Sequence, residues 1–212
     1  MANWCFTTMC FHGNAEELTD LYNKIHEWTK MNEENSERKD RWLGNIIQGA
    51  GLNDDLYRCR GFVDCIYDLE ITDPSDDMGA VFYMSSETAW GPLCSFWPDV
   101  IEKMGYKTIG FSYIAEESNM GVFVIYDNYG DFSIVHDIDI WVEGEDKNNP
   151  ILMELSENHE FESDEDIKAI LQKLLKTDED DLNTLIYQAE NYDFEDEDSF
   201  LSVHTYTRVD EP

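Results

Sequence analysis

The stretch SETAWGPLCSFWPDVIEKMGYKTIGFSYIAEESNMGVFVIYD, residues 86–127, decides the fold. It reads as a strand end, a turn, an amphipathic helix, a strand, an acidic corner and a second strand. Gly91-Pro92 stops the first strand, because proline has no N–H to give a sheet ladder. Ser95 is placed to accept from an early helical N–H, and Pro98 falls in the first turn, where a missing donor costs nothing. The helix is therefore predicted to begin near Ser95, to carry Phe96, Trp97, Val100, Ile101 and Met104 on one face, and to end at Gly105. The alternation of Ile109, Phe111 and Tyr113 supplies a sheet face for it to pack on.

Upstream, residues 3–12 read as an inner strand with apolar or small groups on both faces. Asn14 with Glu17 opens a helix carrying Leu18, Leu21, Tyr22, Ile25 and Trp28. Residues 30–40 read as an exposed connection. Residues 42–50 form a short apolar face weakened by Gly44 and Gly49. Arg58 to Ile71 alternates as one long strand, with Cys59 and Cys65 on its apolar face and Asp64, Asp68 and Glu70 facing water. Asp73 to Asp77 turns the chain into a strand at Gly79–Met84. Asn128-Tyr-Gly130 is the signal for a hairpin joining Val122–Tyr126 to Phe132–Ile138. Without the short helix and the last strand, the order is β-α-β-β-α-β, the ferredoxin-like arrangement. The expected class is α+β, with a ferredoxin-like domain at residues 1–140 and an acidic extension at 141–212.

Several short motifs recur in one order: Met1-Ala-Asn-Trp-Cys5, Trp42-Leu-Gly-Asn45 to Cys59-Arg-Gly61, Thr88-Ala-Trp90-x-Pro92, Glu116-Glu117 and Met120-Gly121. This combination resembles the Api-like family of phage and conjugative-element proteins, a group of unknown function whose members have a ferredoxin-like domain. The resemblance covers residues 1–127 and implies a fold and a mobile-element setting, with no mechanism.

In the extension, residues 143–150 look like a linker. Ser163 caps a helix with Ile167, Ile170, Leu171, Leu174 and Leu175 in a stripe, and Thr177 is expected to cap another with Leu182, Leu185, Ile186 and Ala189. Asp164, Glu165 and Asp166, then Asp178, Glu179 and Asp180, crowd the two expected helix starts, where the dipole favours them. Phe200 to Val209 reads as a final strand.

The chain has 212 residues, 42% hydrophobic, enough for a sizeable core. Its 47 acidic and 14 basic side chains leave a net −33, which disfavours phosphate neutralisation and therefore direct binding to nucleic acid or an anionic membrane. The plainest meaning of that excess is a solvated, repulsive surface. Five cysteines without a Cys-x-x-Cys pair, and an N-terminal segment unlike a secretory leader, point to reduced thiols in a cytoplasm.

No pattern for chemistry is complete. The histidines are scattered, so no zinc site is expected. Asp73-x-Ser75-x-Asp77-x-Gly79 lacks the distal glutamate of a calcium loop, and Gly44 to Gly51 lacks the lysine of a phosphate loop. The best constellation is Glu116-Glu117 at a strand end beside Trp90, where two carboxylates near an indole can tune each other. The expected function is a non-enzymatic acidic protein without a cofactor, docking on a basic host or element protein. In its sharpest form it is a nucleic-acid mimic that inhibits a DNA- or RNA-handling protein. Expected contact residues are Trp90, Glu116 and Glu117, the two acidic triplets above, and Asp193, Glu195, Asp196, Glu197 and Asp198. The alternative is a small-ligand or enzymatic domain at the Trp90/Glu116 corner. Oligomeric state is not legible.

Overall fold

A computed structural model describes residues 3–31 and 41–212. Residues 32–40, most of the expected exposed connection, lie outside it. The chain is a mixed α+β protein with a mostly antiparallel sheet and several helices. Its contacts divide it into two compact units, residues 1–132 with 207–212, and residues 133–206.

In the first unit the order is β1 (Trp4–Gly13), α1 (Ala15–Trp28), α2 (Leu43–Gly49), α3 (Asp54–Tyr57), β2 (Gly61–Ile66), β3 (Glu70–Ile71), β4 (Ala80–Ala89), α4 (Trp97–Met104), β5 (Gly110–Glu117) and β6 (Val122–Tyr126). The last strand, β10 (Thr207–Arg208), returns to pair parallel with β6. The sheet order is β10-β6-β5-β1-β4-β2, with β3 also on β4. Within it β1 is antiparallel to both β4 and β5, and β2 is antiparallel to β4.

One face of this sheet is packed under helices. Leu18, Leu21, Ile25, Trp97 and Val100 join Cys5, Met9, Phe11, Phe82, Met84, Phe111 and Tyr113 in one core. Phe11 sits at its centre, with ring centroids 5.0 Å from Phe82, 4.7 Å from Trp97 and 5.8 Å from Phe111. Asn14 caps α1 by accepting from the Glu17 N–H at 2.8 Å. The Glu17 carboxylate does not return to close a capping box. It accepts instead from the Lys107 and Thr108 N–H groups at 2.8 and 2.9 Å, tying α1 to the entry of β5.

Several expectations need correction. The long strand at 58–71 is broken: an extra residue, Asp64, bulges between Val63 and Cys65, which bends the strand, and regular pairing stops after Ile66 to resume only at Glu70–Ile71. Cys59 precedes the strand. The other face of β1 is not covered along its whole length, since Phe6 is 58% exposed. Helix α4 begins at Trp97 with Phe96 as its cap residue and no side-chain cap bond, so Ser95 is not the cap; Pro98 in the first turn and Gly105 at φ 78° stand as expected.

The hairpin at 128–130 does not form. The Asp127 carboxylate accepts from the N–H groups of Tyr129, Gly130, Asp131 and Phe132 at 2.8–3.2 Å and turns the chain out of the sheet. Burial opposes ionisation of Asp127, yet these four donors outweigh it and hold the carboxyl down at about 2. The division between units consequently falls at 132/133, because β7 (His136–Trp141) pairs with strands of its own sheet rather than with β6.

In the second unit β7 is flanked by β8 (Glu160–Phe161) and β9 (Phe200–Thr205), both antiparallel. Three helices, α5 (Pro150–Glu157), α6 (Asp164–Leu175) and α7 (Leu182–Glu190), enclose a core of Ile138, Leu152, Leu155, Ile167, Leu171, Leu185 and Leu201. Residues 144–148 form a 3-10 turn leading into α5, so the expected linker is ordered structure. The final strand is two short ones in different sheets, interrupted at Tyr206.

Candidate functional site

The residues expected to meet at a corner are separated by the sheet itself. Trp90 lies just past β4 at φ 77°, about half exposed, its N–H donating to the Asn3 carbonyl at 2.9 Å. Glu116 and Glu117 end β5 and point to opposite faces, as neighbours on a strand must. Glu117 is 2% exposed and accepts from the Met120 N–H and, at 3.3 Å, from Asn119 Nδ2, so it closes the 118–121 turn. Glu116 stands level with Phe6, while Trp90 lies beyond Ala89, the partner of Trp4. The strand β1 runs between them.

The register brings together a different set. Across the sheet face opposite α1 and α4, Phe62 on β2 pairs with Glu87 on β4, Glu87 with Phe6 on β1, Phe6 with Glu116 on β5, and Glu116 with Phe123 on β6, where the ring is buried. One row therefore alternates aromatic and acid across five strands. Trp4 lies beside it, its ring 6.4 Å from Phe62. Two residues further along β1, Thr8 opens onto a cavity of about 460 Å³ lined by Tyr67, Asp68, Glu70, Val81 and Tyr83.

Each cavity residue is there for a local reason. Val81 and Tyr83 share the open face of β4, and Glu70 on β3 pairs with Val81. Tyr67, in the gap that the bulged strand leaves, donates its N–H to the Tyr83 carbonyl at 2.9 Å. Tyr67 is 52% exposed and Tyr83 40%, so two large rings meet solvent. A hydrogen bond with Cys10, burial, and the charges of Asp131 and Glu70 push the Tyr83 hydroxyl up to about 12. Burial, reinforced by Asp131, pushes the Cys10 thiol to about 12 as well, so it stays protonated and is no nucleophile at neutral pH. Beneath the 127–132 loop, buried His12 has Nε2 3.4 Å from Asp131 and its ring edge-on to Tyr129. Burial lowers its pKa against the pull of Asp131 and Asp127. The open face thus offers neutral rings and carboxylates, which attract cations and repel phosphate.

In the second unit the acidic positions are largely held by local structure. Asp164 lies 2.7 Å from Nε2 of buried His136. Ser163 accepts from the Asp166 N–H at 3.2 Å and donates to its carboxylate. Glu165 is exposed in the same first turn. Helix α7 starts at Leu182 with Asp181 as its cap, not at Thr177, so Asp178, Glu179 and Asp180 sit in the loop before it rather than in its first turn. There Glu179 accepts from the Asp180 and Asp181 N–H groups at 2.8 and 2.9 Å, and Asp180 pairs with Lys168. Asp193, Glu195, Glu197 and Asp198 are exposed and Asp196 is half-buried, in a run organised by a residue with no sequence signal. Asp146, 4% exposed, accepts from the Glu195 and Asp196 N–H groups at 3.0 and 2.9 Å.

Tyr67, Tyr83, Phe6, Phe62 and Glu87 escaped the sequence reading. The alternation that puts Asp68 and Glu70 toward water was the available signal, but which rings join them depends on strand register. The Asp73 carboxylate accepts from the Ser75 N–H and hydroxyl in an ordinary turn. Among the described residues no group of three His, Cys, Asp or Glu is placed to hold a metal ion, and no helix is long and apolar enough to cross a membrane.

Comparison of the chain with family models, curated proteins and solved structures finds no match.

Proposed function

We propose that this protein is a non-enzymatic binding protein whose acidic surface engages a basic protein, in its sharpest form a nucleic-acid mimic directed at a DNA- or RNA-handling protein. One observation carries the reading: among the described residues only Glu117 and Asp146 are buried acids, and 14 cations cannot neutralise 47 carboxylates. The field at the surface is therefore negative, which speeds encounter with a basic partner and makes association salt-sensitive.

The antiparallel order β5-β1-β4-β2, with α1 and α4 packed on one face, supports a ferredoxin-like first unit. The motif resemblance to the Api-like family supports a mobile-element setting, where inhibitors of host nucleases have a use. Five cysteines without a Cys-x-x-Cys pair suit a reducing cytoplasm.

The test is a titration of the full chain against basic nucleic-acid-binding proteins carrying a labelled duplex. The expected result is displacement of the duplex, with affinity falling at least tenfold as salt rises from about 50 to about 200 mM. No binding at the lower salt, or binding indifferent to salt, overturns the reading.

A further inference from the structure

We propose that the cavity between Thr8, Tyr67 and Tyr83 is a subsite for a guanidinium, an arginine side chain carried on an extended basic segment of the protein partner. This rests on the binding reading above and names where the partner docks. The cavity, about 460 Å³, exceeds what a guanidinium needs and leaves room for its aliphatic stem. Its wall combines two solvent-exposed tyrosines with the exposed carboxylates of Asp68 and Glu70. Rings attract a cation through their negative faces, and a carboxylate meets the planar fork with paired hydrogen bonds. Arginine suits this better than lysine, since its delocalised charge is more weakly hydrated and its stem covers apolar surface.

The next aromatic–acid row lies one step along β1. Phe6 and Thr8 are two residues apart, a rise of about 6.8 Å, the same repeat that separates alternate side chains of an extended peptide. A segment with arginines at i and i+2, lying along β1, sets one guanidinium in the cavity and the other over Phe6 beside Glu87.

The experiment measures anisotropy of a labelled Arg-Ser-Arg peptide against the full chain at low salt. Its citrulline counterpart and an Arg-Arg-Ser isomer are run in parallel. Tyr67→Leu and Glu70→Gln are each expected to weaken binding about tenfold, and Tyr83→Phe, which keeps the ring, less than twofold. Glu27→Gln, removing one exposed charge on α1, is also expected to change it less than twofold. Citrulline is expected to abolish binding, and the isomer to bind more weakly. Near-ultraviolet circular dichroism confirms that each variant is folded. Equal effects from Glu70→Gln and Glu27→Gln, with Tyr67→Leu silent, overturn the subsite and leave the acidic-surface reading standing. No binding of the peptide or of polyarginine by the unaltered chain overturns both. Free N-acetyl-arginine amide binding as tightly as the peptide marks a small-molecule site and overturns the peptide partner.

Discussion

The two units carry similar charge on unequal frames. Residues 133–206 hold 22 acidic and 4 basic side chains, a net −18; the rest of the chain holds 25 and 10, a net −15 on nearly twice the length. In the denser unit many carboxylates have structural employment, at helix caps, in the loop before α7, and under residues 195–196. In the sparser unit Glu87 and Glu70 share an uncovered face with aromatic side chains. The proposed arginine subsite therefore sits in the unit with the lower charge density, where carboxylates are interleaved with rings.

The sharpest way to break this comparison is to empty one core and watch the other. Phe11→Ala removes the ring that touches Phe82, Trp97 and Phe111, and is expected to destabilise the first unit by about 3–5 kcal/mol. Amide exchange should accelerate throughout β1, β4 and β5 and stay slow in α6. Equal acceleration in both would show that the two cores unfold as one.

A smaller effect is expected at the turn that separates the units. Because the folded Asp127 carboxyl ionises more readily than the unfolded one, its stabilisation is present above pH 4 and is lost as pH falls toward about 2. Asp127→Asn should therefore cost about 2 kcal/mol at pH 7, with the gap to the unaltered chain closing near pH 2 in denaturant melts. A gap independent of pH would assign the loss to shape rather than charge. In the second unit Asp146→Ala leaves the Glu195 and Asp196 N–H groups without their acceptor, and is expected to speed amide exchange at 195–199 while leaving α1 untouched.

Smallest of all is His159. Its hydrogen bond to Asp137 at 2.8 Å raises its pKa, so the pair stabilises the fold below the ordinary histidine range and is lost as pH rises through the folded value. On an exposed pair this amounts to a few tenths of a kcal/mol. A proton-NMR titration should show the raised value falling back in Asp137→Asn; an unchanged value would remove Asp137 as its cause.

Much of the fold was legible. The Asn14 cap, the stripe of α1, Pro98 and Gly105 around α4, and the Ser163 cap act within one turn of chain, so the local spelling suffices. The errors share a cause. Arg58–Ile71 alternates as one strand, but a bulge at Asp64 breaks it; Asn128–Gly130 spells a hairpin, but Asp127 collects the N–H groups that would have formed the ladder. In both places a competing local bond or an extra residue won over the pattern.

By itself the sequence determined the α+β class, most helices, the excess of 33 negative charges and the absence of a complete catalytic motif. Only the tertiary structure decided that Trp90, Glu116 and Glu117 stay apart, that Phe62, Glu87 and Phe6 form a row, and that Tyr67 and Tyr83 share a cavity. Helix starts depend on neighbours in the chain, whereas the partners of a strand residue depend on register. A shift of one residue carries every side chain to the other face.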